Sequence, residues 1–123
     1  MPFNALLGLK LNRVHADGVT IECAIRPEFL NGNGVLHGGV TATLADVAVG
    51  IALHRHFGGY TPITTVELKV NYFRPVKDGK VFARAFLMRV GSSICVGRVE
   101  ILDSSKNLIG AAMVTYMIIP ARP

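Results

Sequence analysis

The chain has 123 residues, 50% of them apolar, and a formal charge of +5 at pH 7. That length suits one domain, residues 1–123, able to bury ~65% of its unfolded surface; the positive mean hydropathy excludes disorder and predicts surplus apolar surface to bury between subunits. The 13 basic residues are scattered, so the clustered patch with aromatic platforms that nucleic acid requires is missing, whereas a small molecule carrying polyphosphate fits the charge.

Taken in order, Met-Pro-Phe-Asn-Ala-Leu-Leu-Gly at the N-terminus has neither a basic n-region nor a long apolar h-region, so no secretory signal is read and a cytoplasmic location is expected. Pro2 to Leu7 allows a short helix. Leu9 to Ala16 and Val19 to Ile25 read as strands, with Asp17-Gly18 as the turn between them. Arg26 to Val35, which contains Pro27 and several Asn and Gly residues, is a loop. From Gly38 to Leu53 the only ionisable residue is Asp46. That pattern predicts a helix buried nearly all round, since a surface helix would show a polar face. Asp46 also breaks the one run that approaches the ~18 apolar residues of a membrane span. His54, Arg55 and His56 suit the negative end of a helix dipole, and Gly58-Gly59 ends the helix.

Thereafter the period changes to two. Thr65 to Tyr72 alternates strictly, predicting a strand with Val66, Leu68, Val70 and Tyr72 on one apolar face and Thr65, Glu67, Lys69 and Asn71 on the other. Arg74-Pro75 ends it, Asp78-Gly79 turns the chain, and Lys80 to Val90, Ile94 to Leu102 and Leu108 to Ile119 follow as strands. Short turns between strands predict antiparallel neighbours. One apolar helix among about six strands predicts an α+β domain, a curved antiparallel sheet wrapped around a long buried helix. Cys23 and Cys95 fall in strand-like segments without metal-ligand spacing and read as buried thiols, and no metal or cofactor site is expected.

Asp46 is the residue that needs explaining, because a carboxylate in an apolar helix costs several kcal/mol unless it is paired, hydrogen-bonded or neutralised. Structurally, it could bond a neighbouring Thr or face a subunit interface. Functionally, it could be a general base or nucleophile in a dry cleft. His37-Gly38-Gly39, at the loop-to-helix junction, is the second candidate. A helix start offers unpaired N–H groups and a positive dipole end, and glycine lets a ligand approach them, which suits polarising a carbonyl. Equally, the two glycines could serve close packing and His37 could be a satisfied core histidine. The Gly32-x-Gly34-x-x-x-Gly38 spacing is wrong for a dinucleotide loop. His54 and His56 point to different sides of a helix, and no GxSxG elbow is present.

The pattern Asn31-x-x-Gly34-x-x-His37-Gly38-Gly39-x-x-x-x-Leu44-x-Asp46, continued by Thr65 to Tyr72, Arg74-Pro75 and Gly91-Ser92-Ser93, resembles the hotdog-fold acyl-CoA thioesterases, in the phenylacetate-pathway branch. The resemblance spans most of the chain and implies a hotdog fold and hydrolysis of an acyl-CoA without a cofactor. It implies that Asp46 is base or nucleophile, that Gly38 N–H and the Asn31 amide polarise the thioester carbonyl, and that Thr65 positions the water. His37 and Gly39 would support the loop, and Arg89, Gly91, Ser92 and Ser93 would lie near the pantetheine or nucleotide. It implies a homodimer at minimum, with a dimer of dimers expected, and sites that cross a subunit boundary. A non-catalytic acyl-CoA-binding module or sensor is the alternative, although a pure binder has no need of a buried base.

Overall fold

The computed structural model describes residues 1–120. Its elements are α1 (Pro2–Leu7), β1 (Lys10–His15), β2 (Gly18–Ala24), a 3-10 turn at Pro27–Phe29, α2 (Gly38–His56), β3 (Ile63–Tyr72), β4 (Lys80–Val90), β5 (Ile94–Leu102) and β6 (Leu108–Ile118). The six strands form one antiparallel sheet in the order β1-β2-β4-β5-β6-β3. The sheet-around-helix architecture is therefore the one the sequence predicts.

The sheet order departs from the simplest reading of the short turns. β4 pairs with β2, and β3 pairs with β6 on the far edge, so the β3–β4 connection crosses over. The cause is α2. A helix of its length spans ~28 Å, more than the ~19 Å across four strand spacings, so it carries the chain from β2 to the opposite edge.

One stripe of α2 packs on the sheet: Leu44, Ala45, Ala48, Val49, Ala52 and Leu53 are buried against Ile21, Val81, Ala83, Val99, Ile101 and Val114. Each buried Leu or Ile contributes ~1.5–3 kcal/mol. Gly97 on β5 lets the helix come this close, since a Cβ there would stand 2.8 Å from both Val49 methyls. Burial all round, however, holds for one side only. Val40, Ala42, Thr43, Asp46, Val47 and Ile51 are half-buried, because a single sheet covers a single side of the helix.

Three local details differ from the sequence reading or sharpen it. The first hairpin turns at Ala16-Asp17, and Gly18 opens β2, where a Cβ would lie 1.8 Å from the Ala85 carbonyl oxygen; close backbone approach requires this glycine. Cys23 and Cys95 are free and buried, as expected. In β3, pairing with β6 slips between Thr65 and Glu67, so Val66 is the extra residue of a bulge and is 58% exposed. A bulge reverses the alternation beyond it. Thr65, expected beside Glu67, instead lies on the helix side with Leu68, Val70 and Tyr72, which pair with or reach core elements.

Candidate active site

The start of α2 is built by its own sequence. His37 is the N-cap: its backbone is extended, and its Nδ1 accepts the Gly39 N–H at 2.8 Å. The ring is exposed, so His37 is a cap and not a core histidine. Capping occupies the Gly39 N–H and leaves the Gly38 N–H without a protein acceptor among the described residues, at the positive end of the dipole. Tyr72 from β3 donates its hydroxyl to the Gly38 carbonyl at 2.6 Å, and a Cβ on Gly38 would lie 3.1 Å from that ring.

Asn31 closes the loop before the helix. Its Oδ1 accepts the N–H groups of Asn33 at 2.9 Å and Val35 at 3.4 Å. Both neighbours are donors, which fixes oxygen inward and leaves the Nδ2 amide protons without an acceptor among the described residues. Asn31, Gly38 and Tyr72 line the same surface pocket, of about 360 Å³.

Asp46 sits two turns further along α2. Its Oδ1 accepts the Thr65 hydroxyl at 2.8 Å and the Tyr116 hydroxyl at 2.7 Å, and the Tyr116 oxygen is also 2.7 Å from the Asp46 backbone carbonyl. Both hydroxyls crowd onto one carboxylate oxygen; Oδ2 has no partner among the described residues. Burial, and after it the Asp46 carboxylate, push the Tyr116 phenol well above the usual tyrosine range against the opposing Thr65 hydroxyl. Tyr116 therefore stays protonated and donates. Sequence reasoning passed over Tyr116. The available signal was its parity with the core residues Ala112 and Val114 along β6, which put a hydroxyl among apolar side chains.

Thr65 and Tyr116 border a second pocket, of about 360 Å³, lined on the helix side by Val47, Gly50, Ile51 and His54. Within one chain the site residues thus fall into two groups, Asn31 with Gly38 at the first pocket, and Asp46 bonded to Thr65 and Tyr116, which line the second. The fold brings members together inside each group and not across them.

Arg89, Gly91, Ser92 and Ser93 form the β4–β5 hairpin, closed by the Gly91 N–H donating to the Ile94 carbonyl oxygen at 2.9 Å. A Cβ on Gly91 would lie 2.7 Å from that oxygen and 3.4 Å from the Arg89 guanidinium nitrogens. Arg89 borders a third pocket, of about 450 Å³, with Arg55 and His56 from the end of α2. Cationic groups from two elements thus share one mouth. No cluster of metal-ligating side chains occurs among the described residues, nor is any described helix long and apolar enough to cross a membrane.

Comparison with known proteins bears on the family and the fold. Residues 33–109 match the thioesterase superfamily. The medium/long-chain acyl-CoA thioesterase YigI of Escherichia coli K12 is 31% identical over 96% of this chain and 86% of its own length. Among solved structures, the thioesterase HI1161 of Haemophilus influenzae superposes with a TM-score of 0.89 at 26% identity, covering 95% of this chain and 82% of that one. A mutant of the phenylacetic acid degradation protein PaaI from Thermus thermophilus gives 0.86 at 27% identity, covering 97% and 100%.

Proposed function

The chain belongs to the thioesterase superfamily and is a thioester hydrolase of hotdog fold, and we propose that it cleaves an acyl-CoA to free coenzyme A and a carboxylic acid, using Asp46 as base or nucleophile. The observation that carries this reading is the one-sided carboxylate. With Oδ1 held by Thr65 and Tyr116, the lone pairs of Oδ2 are the ones free to act. In the base route a water oxygen bonds to the thioester carbon while its proton passes to Oδ2, and the carbonyl electron pair moves onto oxygen. A helix-start N–H at Gly38 and the free Asn31 amide suit that oxyanion. Its collapse breaks the C–S bond, and the departing thiolate takes up the proton.

One carbonyl cannot reach both groups in a single chain. Gly38 and Asp46 are eight residues apart, ~12 Å along the axis; Gly38 lines the pocket of Asn31 and Tyr72, whereas Asp46 is bonded to Thr65 and Tyr116, which line another. A second copy, related by a two-fold axis with its α2 antiparallel, would set its Gly38 and Asn31 against Asp46 and Thr65 and make two equivalent sites. The edge position of β3, with Val66, Leu68, Tyr72 and Phe73 exposed, and the uncovered strip of α2 support a homodimer formed there, with a dimer of dimers as the larger assembly. The basic mouth at Arg89 supports a phosphate-bearing coenzyme, and Val47, Ile51 and Ile63 give the pocket beside Thr65 an apolar wall for the acyl group. The name of YigI supports the same substrate class.

The test is hydrolysis of short, medium, long and aromatic acyl-CoAs, read by release of free thiol, with Asp46→Asn in parallel. Release by the wild type that is lost in the variant is expected. Turnover that survives Asp46→Asn refutes the role of Asp46, and absence of release from every acyl-CoA refutes the substrate.

A further inference from the structure

Gly50 lies in the middle of α2, four residues after Asp46. A glycine there weakens the helix relative to alanine, and the helix end is six residues away, so capping does not account for it. The reason is on β6. A Cβ on Gly50 would lie 2.9 Å from the Tyr116 hydroxyl oxygen and 3.4 Å from its ring carbon Cζ. A side chain at position 50 would force the phenol or the helix to shift and so disturb the contact between Tyr116 and Asp46. Tyr116 is only 8% exposed, so its ring has little room to retreat.

The Tyr116 hydroxyl meets two acceptors, Oδ1 and the backbone carbonyl, that belong to one residue. A single proton shared between them ties the carboxylate to its own backbone and restrains χ1 of Asp46. Thr65 restrains the same oxygen from the neighbouring strand, at 2.8 Å. The base is thereby held from two sides through Oδ1, with Oδ2 left without a partner among the described residues, and a reacting group misplaced by about 1 Å can cost 10²-fold in rate.

We propose that Tyr116 is a positioning residue for the hydrolytic reaction, acting through Asp46, and that Gly50 is the space its hydroxyl requires. This rests on the reading of Asp46 as base or nucleophile. The pair forms one device, so its two parts fail together.

The test is a double-mutant cycle with kcat, KM and melting temperature read for each variant. Tyr116→Phe should lower kcat about tenfold, as expected for losing one orienting hydrogen bond. KM should stay within about twofold, because the phenol acts through the carboxylate. Gly50→Ala should lower kcat comparably in the wild-type background, yet cost little more in Tyr116→Phe, where the clashing oxygen is gone. Tyr116→Phe with wild-type kcat and an unchanged melting temperature overturns the inference, as do losses at the two positions that simply multiply. A Tyr116→Phe variant whose kcat loss is matched by a collapse in melting temperature, with no coupling to Gly50, assigns Tyr116 to the core and overturns it too. Asp46→Asn separates the two readings: if it abolishes turnover while Tyr116→Phe does nothing, only Tyr116 is misassigned; if it retains turnover, both fall.

Discussion

Thr65 and Asp46 are 19 residues apart in the chain, and their side-chain oxygens are 2.8 Å apart. The contact exists because β3 lies at the sheet edge beside β6 and because a bulge at Val66 turns Thr65 toward the helix. Bulges re-aim side chains in this way next to active sites.

Asp46→Asn should keep the fold, since the change is nearly isosteric and Asn still accepts from Thr65 and Tyr116. Its kcat should fall on the order of 10²–10⁴, the usual contribution of a positioned base. A circular-dichroism melt alongside thiol-release kinetics checks both halves of the statement.

Thr65→Ala should lose less than Asp46→Asn, because orienting the base through Oδ1 contributes less than supplying it. Thr65→Ser should recover most of the loss, as it restores the hydroxyl donor to Oδ1. If Thr65→Ala is the more damaging change in a folded protein, the two roles are exchanged.

Sharing of the site makes a quantitative forecast. Asp46→Ala and Asn31→Ala should each be nearly inactive, but a mixed dimer holds one site with both defects and one with neither. Random pairing makes about half the dimers mixed, each with one good site of two, so co-expression should restore about a quarter of wild-type activity under two-fold symmetry. Mixed dimers isolated through two different tags and found inactive would place the whole site within one chain.

Arg89→Ala should raise KM for an acyl-CoA by about tenfold, equivalent to ~1.4 kcal/mol. The same acyl group carried on N-acetylcysteamine, which has no phosphates, should be hydrolysed equally well by both proteins. An equal effect on the two substrates would separate the Arg89 mouth from the coenzyme.

His54 supplies a stability test. Burial holds its imidazole below the ordinary value, and its Nδ1 accepts the Thr61 N–H at 3.2 Å, which a protonated ring could not do. As pH falls, the unfolded chain takes up this proton first. The associated stability is therefore full above the unfolded pKa of about 6.5 and declines as pH drops toward the lower folded value. Melting temperature should fall more steeply for the wild type than for His54→Gln between about pH 7.5 and 5.5. Parallel curves would remove His54 as the cause.

The sequence by itself determined the elements and one side of the chemistry. Period-two runs, a polarity break at Asp46 and glycine at chosen turns are local signals, and local sterics and patterning suffice to read them. They gave α2, the strands, and Asp46 and Gly38 as candidates, to which the resemblance to the hotdog thioesterases added Asn31 and Thr65. The tertiary structure decided what lies beyond the reach of neighbours in the chain. β3 left β4 for β6, because a long helix inserted before it crosses the sheet. Thr65 changed faces, because a bulge is a property of two paired strands and leaves strict alternation in the sequence of one. Gly18 was read as a turn residue and Gly50 was passed over within the helix, and their reasons are an Ala85 carbonyl and a Tyr116 hydroxyl brought up by other strands. Tyr116 itself, 70 residues from Asp46, touches it only because β6 lies beneath α2. Packing places the donors on Oδ1, and packing is a relation between distant residues that periodicity within a window cannot express.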